Sequence, residues 1–160
     1  QVAAELPTRL PSILGPEHRL TDIIAHKYDP EWPGVAGLGV QALPGAMAVA
    51  LWTTPATANL KASGNGFEVF NAAAPEKMPA AERYSWAPKL EDDPPKHALV
   101  RANEYRSTRV PYRANRLVVW RGDRFFRTDW DPKKWRAGYK NRRIDIWFLY
   151  GTPTGSATAR

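Results

Sequence analysis

The sequence contains no cysteine, which excludes both a disulfide framework and a thiolate metal site. Histidine is nearly as scarce. The three present are His18, His26 and His97; none lies in an HxD or HxE triplet, and no imidazole follows residue 97. Gly34, Gly37 and Gly39 lack the Lys-Ser/Thr and the helix that a phosphate loop requires, and no serine occupies a nucleophile elbow. The longest uncharged stretch, Trp32 to Leu60, is interrupted by Pro33, Pro44, Pro55 and several glycines. It falls short of the roughly 20 consecutive apolar residues of a membrane-spanning helix.

At 160 residues, 43% hydrophobic and 11% aromatic, the chain suits one core and is too short for two ordinary domains. Fifteen prolines and eleven glycines favour turns over long helices, as in an all-β barrel or sandwich with short helical decoration. The net charge of +7 is unevenly placed: Arg101 to Arg143 holds fourteen Lys+Arg against four Asp+Glu. This asymmetry points to an anionic partner, whether nucleic acid, an acidic lipid surface or an acidic protein face. The alternative is a set of strands with arginine on the solvent side, where it blunts sheet edges.

Alternation of apolar and polar residues predicts strands over Leu117–Trp120 and Ile144–Tyr150, with a short aromatic strand at Arg124–Arg127 between them. Residues 16–26, with early acidic residues and apolar Leu20, Ile23 and Ile24, predict a short amphipathic helix. Residues 37–42 and 46–52, separated by Pro44-Gly45, predict a hairpin. Residues 1–15 read as an extended lead-in on the surface, 16–151 as a single domain with a Pro- and charge-rich insertion near 74–96, and 152–160 as a flexible tail. The expected core is Val40, Val49, Leu51, Phe67, Val69, Val110, Leu117, Val119, Phe126, Ile144, Ile146 and Phe148. A chain that begins at Gln1 rather than Met suggests a removed leader. The expected host is then an organelle, plastid or mitochondrion, with a bacterial exported or cytoplasmic protein as the alternative.

Four short motifs in order carry a resemblance. They are Gln41–Pro55 (QALPGAMAVALWTTP) followed by Ala58-Asn59-Leu60, Gly64–Phe70 (GNGFEVF), Ser107–Arg113 running into Asn115–Trp120 (NRLVVW), and Gly138–Asp145 (GYKNRRID). From about Gly37 to Gly151 the chain resembles the prolyl-hydroxylase-like iron- and 2-oxoglutarate-dependent oxygenases. The resemblance implies a mainly β fold, a double-stranded β-helix of jelly-roll or cupin type with roughly eight antiparallel strands and one or two short N-terminal helices.

It also places the family's metal ligands. The HxD histidine falls on Gln41, its aspartate on Leu43 and the distal histidine on Phe126, so every ligand position is replaced. A non-haem Fe(II) site needs two imidazoles and a carboxylate on one face, and leucine and phenylalanine offer no donor atom. No catalytic residue, metal or cofactor is therefore expected. Arg143 matches the arginine that holds the far carboxylate of 2-oxoglutarate, with Arg142 as neighbouring candidate and a structural ion pair as the alternative use.

Among other candidates, His26 and Asp29 stand at H-x-x-D spacing, and Asp123, Asp129 and Asp131 suit either a cation or paired acids. Salt bridges to Arg121, Arg124, Arg127 or Lys133 are the simpler account of the three aspartates. Trp120, Phe125, Trp130, Trp135 and Tyr139 interleave with basic residues as stacking platforms for RNA would. The expected function is a non-catalytic, oxygenase-like structural or accessory subunit of a larger protein assembly. The alternatives are a metal-free enzyme or sensor binding a small dicarboxylate through Arg143, and a nucleic-acid-contacting basic subunit.

Overall fold

The computed structural model describes residues 2–28, 39–83 and 90–151. It holds seven strands, β1 (Arg19–Lys27), β2 (Met47–Trp52), β3 (Phe67–Ala73), β4 (Ser107–Val110), β5 (Leu117–Arg121), β6 (Arg124–Thr128) and β7 (Ile144–Gly151). They form two antiparallel sheets, ordered β1-β7-β2-β5 and β4-β3-β6. Gln41 adds an antiparallel bridge to Phe126 on the edge of β6 that β3 leaves open. Pairing is nested from the outside in: β1 with β7, Gln41 with β6, β2 with β5, β3 with β4. Among the described strands β7 also pairs with β2, and β6 also pairs with β3.

Directly opposed residues in antiparallel strands share a face, and this fixes three apolar layers. The interior between the sheets takes Ala48, Ala50 and Trp52 from β2, Val118 and Trp120 from β5, Trp147 and Leu149 from β7, Phe67 from β3 and Phe126 from β6. The outer face of the four-stranded sheet packs Val49, Phe148 and Tyr150 against Ala3 and Leu6 of helix α1 (Val2–Arg9) and against Leu14. Tyr150 closes this layer by donating its hydroxyl to the Ala3 carbonyl at 2.7 Å. The outer face of the three-stranded sheet packs Phe70, Ala72 and Phe125 against Leu90 and Val100.

Val100 lies on helix α3 (Pro94–Ala102), capped by Asp93, whose carboxylate accepts the Lys96 amide. Lys96 is itself fully buried and donates from Nζ to the Val40 carbonyl at 2.8 Å, beside the Asp93 carboxylate at 3.0 Å. A short helix, α2 (Ala80–Arg83), precedes it. Among the described residues no helix is long and apolar enough to cross a membrane.

Four expectations from sequence need correction. Residues 16–26 do not form a helix; most of them belong to strand β1. The register slips between Leu20 and Asp22, so Leu20 opposes Tyr150 and Ile23 opposes Phe148. The bulge puts two residues three apart on one face, which is helical spacing reproduced by a strand. The lead-in 1–15 is not extended surface chain, since it holds α1 and the buried Ala3, Leu6 and Leu14. The hairpin of 37–42 with 46–52 does not form where it is described, because Gln41 pairs with Phe126 instead.

Within the Pro- and charge-rich segment 74–96, Leu90 and Lys96 are buried. Finally, the phase of two strands is inverted. Leu117 is 40% exposed and Val119, Ile144 and Ile146 are half-buried, Val119 and Ile146 packing against the α1-side cluster, while their neighbours Val118, Trp120, Asp145 and Trp147 are buried inside. The expected tail 152–160 lies outside the described residues.

Candidate functional site

Sequence comparison with the oxygenase pattern singles out Gln41, Leu43 and Phe126, far apart in the chain. The fold brings them together. Gln41 and Phe126 exchange both backbone hydrogen bonds, Gln41 N to Phe126 O at 2.9 Å and Phe126 N to Gln41 O at 2.8 Å, so their side chains share the interior face. Leu43 is buried in the same interior cluster as Phe126. The space is filled with rings: the Phe126 centroid lies 5.1 Å from Trp120, 5.4 Å from Trp147 and 5.8 Å from Phe67. Tilted and edge-on pairs at these separations are favourable packing geometry.

An Fe(II) ion does not fit this donor set. Leu43 and Phe126 present hydrocarbon, and Gln41 presents one amide whose Nε2 is buried without a hydrogen-bond partner. Neither two imidazoles nor a carboxylate converges here.

Arg143 and Asp145 form the polar centre of the interior, and both are fully buried. Arg143 donates Nε to Asp145 Oδ1 at 2.8 Å and Nη2 to Asp145 Oδ2 at 2.7 Å, a bidentate fork. Its Nη1 donates to the Asn65 carbonyl at 2.6 Å. Four aromatic rings surround the guanidinium, Tyr28 at 5.0 Å, Tyr112 at 5.3 Å, Trp52 at 5.5 Å and Phe67 at 5.7 Å. Burial alone would favour the neutral guanidine, but the Asp145 carboxylate outweighs it and holds the Arg143 pKa above its ordinary value. Burial also pushes the Asp145 carboxyl up, against the pull of Arg143, and drives the Tyr112 hydroxyl up to about 12.

Three of the guanidinium nitrogens therefore already hold acceptors from this chain. Of the two uses foreseen for Arg143, the structure places it in the structural ion pair. Arg142 instead lies beside Tyr139, 5.3 Å from the ring centroid.

The remaining candidates disperse. His26 packs on Trp147 with ring centroids 4.1 Å apart; burial and then Arg143 lower its pKa. Asp29 lies outside the described residues. Asp123 binds Arg121 at 2.6 Å, Asp129 accepts the Asn65 amide at 3.2 Å, and Asp131 caps a short 3-10 turn through the Lys133 amide at 3.0 Å. Each has a structural use and they do not form a paired acid. Of the five aromatic residues expected as stacking platforms, Trp120, Phe125, Trp130 and Trp135 are buried, while Tyr139 is 71% exposed.

Sequence reading missed Glu68. It lies on β3 directly opposite Arg109 of β4 and Arg127 of β6. The signal was a charge at a strand position flanked by apolar residues, and it became meaningful only once register set two arginines beside it. No protein-family model, no curated protein and no solved structure matches the chain.

Proposed function

We propose that this chain is a double-stranded β-helix of the oxygenase type whose catalytic interior has become a packed core, and that it serves as a non-catalytic structural subunit of a larger protein assembly. The observation that carries the proposal is the convergence of Gln41, Leu43 and Phe126. The resemblance assigns these positions to one metal, and they lie together in the interior as hydrocarbon and one amide. The nested pairing, with Gln41 standing in for a strand between β1 and β2, supports the same fold, because a hairpin coiled on itself is what a double-stranded β-helix is.

The surface supports an assembly role. Arg113, Lys133, Lys134, Arg136 and Lys140 are exposed and have no carboxylate within salt-bridge distance among the described residues, a surface complementary to an acidic protein face. The geometry weighs against the two rival readings. A dicarboxylate would have to displace Asp145 from Arg143, and RNA would have one exposed ring where five were expected.

The test is native electrophoresis of the protein from its source, with mass spectrometry of co-migrating chains. A stable complex that dissociates at about 0.5 M salt is expected, since charge pairing at an interface rim is screened. Migration only as a free 18.0 kDa monomer would remove the case for a subunit. Stoichiometric Fe(II) with a charge-transfer band on anaerobic addition of 2-oxoglutarate would remove the case for a closed interior.

A further inference from the structure

On the outside of the three-stranded sheet, away from the interior discussed above, lies a cleft of about 500 Å³. Its centre is the cross-strand row Arg109–Glu68–Arg127. The Glu68 side chain is only 6% exposed and both its oxygens are occupied: Oε1 accepts Ser107 Oγ at 2.7 Å and Arg109 Nε at 3.1 Å, and Oε2 accepts Arg127 Nε at 2.7 Å and Nη2 at 2.6 Å. One carboxylate thus fixes two guanidinium groups and leaves the row with one net positive charge. Arg109 remains 73% exposed and Arg127 40% exposed, and both line the cleft. Next to the row, Phe70 and Leu90 line the base of the cleft with the little surface they expose, 4% and 7%, and the Arg127 guanidinium lies 5.8 Å over the Phe70 ring.

The far wall is Tyr105, held in an unusual way. Glu104 and Tyr105 both adopt the left-handed backbone region, with φ of 55° and 52°, where side chains other than glycine are strained. Tyr105 is further pinned through a 2.7 Å contact between its hydroxyl and His97 Nε2, and stands 47% exposed over the cleft. Strained backbone of this kind clusters at ligand-binding sites.

We propose that this cleft binds a small organic anion, a carboxylate or phosphate monoester attached to a flat apolar ring. The anionic oxygens take the outer N–H groups of Arg109 and Arg127, whose fork geometry matches both oxyanions. The ring packs on the exposed Tyr105, beside the edges of Phe70 and Leu90. The volume suits a ligand of this size, and the lining is divided as the ligand is, charged or polar at Glu68, Ser107, Arg109 and Arg127 and apolar at Phe70 and Leu90.

The test is an NMR titration of the whole chain, following the Phe70 and Ser107 amides and the Tyr105 ring, with phenyl phosphate, benzoate, inorganic phosphate and benzamide. Phenyl phosphate or benzoate should saturate with Kd on the order of 1 mM, and the tighter of the two identifies the anion. Inorganic phosphate should bind at least about tenfold more weakly because it lacks the ring, and benzamide should not saturate. Arg109→Ala, on an exposed side chain, should weaken binding about tenfold, whereas Lys140→Ala, elsewhere on the basic surface, should not. Absence of saturation by either ring-bearing anion, equal loss in the two variants, or equal affinity for inorganic phosphate would overturn the proposal.

Discussion

Replacing Asp145 by Asn alters one oxygen and leaves the side-chain volume almost unchanged, yet it removes the counter-charge of a guanidinium that no water reaches. Arg143 would keep its bond to the Asn65 carbonyl and lose a fork at 2.8 and 2.7 Å. Breaking one side of a buried pair leaves an uncompensated charge and destabilises by about 3–5 kcal/mol. For a domain of this length each kcal/mol lowers Tm by about 2–4 °C, so the melting temperature should fall by roughly 6–20 °C.

The double replacement Arg143→Met, Asp145→Leu removes both charges together. It orphans only the Asn65 carbonyl, a loss of about 1–3 kcal/mol, and should therefore be more stable than the single variant. Urea denaturation of the wild type, Arg143→Met, Asp145→Leu and the double variant gives the coupling energy directly. A loss below about 1 kcal/mol for Asp145→Asn, or strict additivity in the double variant, would refute the claim that the pair is ionised and sealed. Stabilisation of the wild type by millimolar succinate would refute the claim that Arg143 is closed to dicarboxylates.

Phe126→His, which restores one nominal ligand, should destabilise the protein by about 2–4 kcal/mol, because it removes ring packing and buries an imidazole without partners; equilibrium dialysis should find no bound Fe(II). Stability should fall as pH drops below the ordinary histidine value of 6.5, because the unfolded chain protonates there while His26, its pKa lowered by burial and Arg143, does not. His26→Gln should flatten the slope of urea midpoints between about pH 7 and 5.5. A further loss is expected below the ordinary glutamate value of 4.5. Burial opposes ionisation of Glu68, but Ser107, Arg109 and Arg127 outweigh it and lower its pKa, so its stabilisation is present above 4.5 and disappears as pH falls through the folded value. Glu104→Gly should raise stability by about 0.5–1 kcal/mol by relieving the left-handed backbone, measured as a higher urea midpoint.

Strand existence was legible in the chain wherever apolar residues recur at short period, as at β5, β6 and β7. Strand phase was not. Along Ile144-Asp145-Ile146-Trp147 the aspartate reads as the solvent side, yet it points inward because Arg143, two residues earlier, goes inward with it. The four-stranded sheet is covered on both faces, by the interior and by α1, so both sets of side chains are apolar and periodicity cannot choose between them. Strand β1 was read as a helix for a related reason, since the bulge at Thr21 gives Leu20 and Ile23 a helical spacing. At the candidate site, three positions taken from the resemblance fall into one place, whereas the use of Arg143 depends on Asp145 and Asn65, partners that register alone reveals.

The nested pairing has a consequence for how the protein is made. Strand β2 is buried at nearly every position, yet its two neighbours, β5 and β7, come from the later part of the chain, and β1 waits for a partner in which Arg19 meets Gly151. Contacts this distant make folding slow, because loop closure must precede any gain from pairing. During synthesis Ala48-Val49-Ala50-Leu51-Trp52 leaves the ribosome long before β7 exists to cover it. An apolar strand left uncovered in this way is prone to aggregate, and truncation before Ile144 should yield aggregate rather than a smaller folded domain.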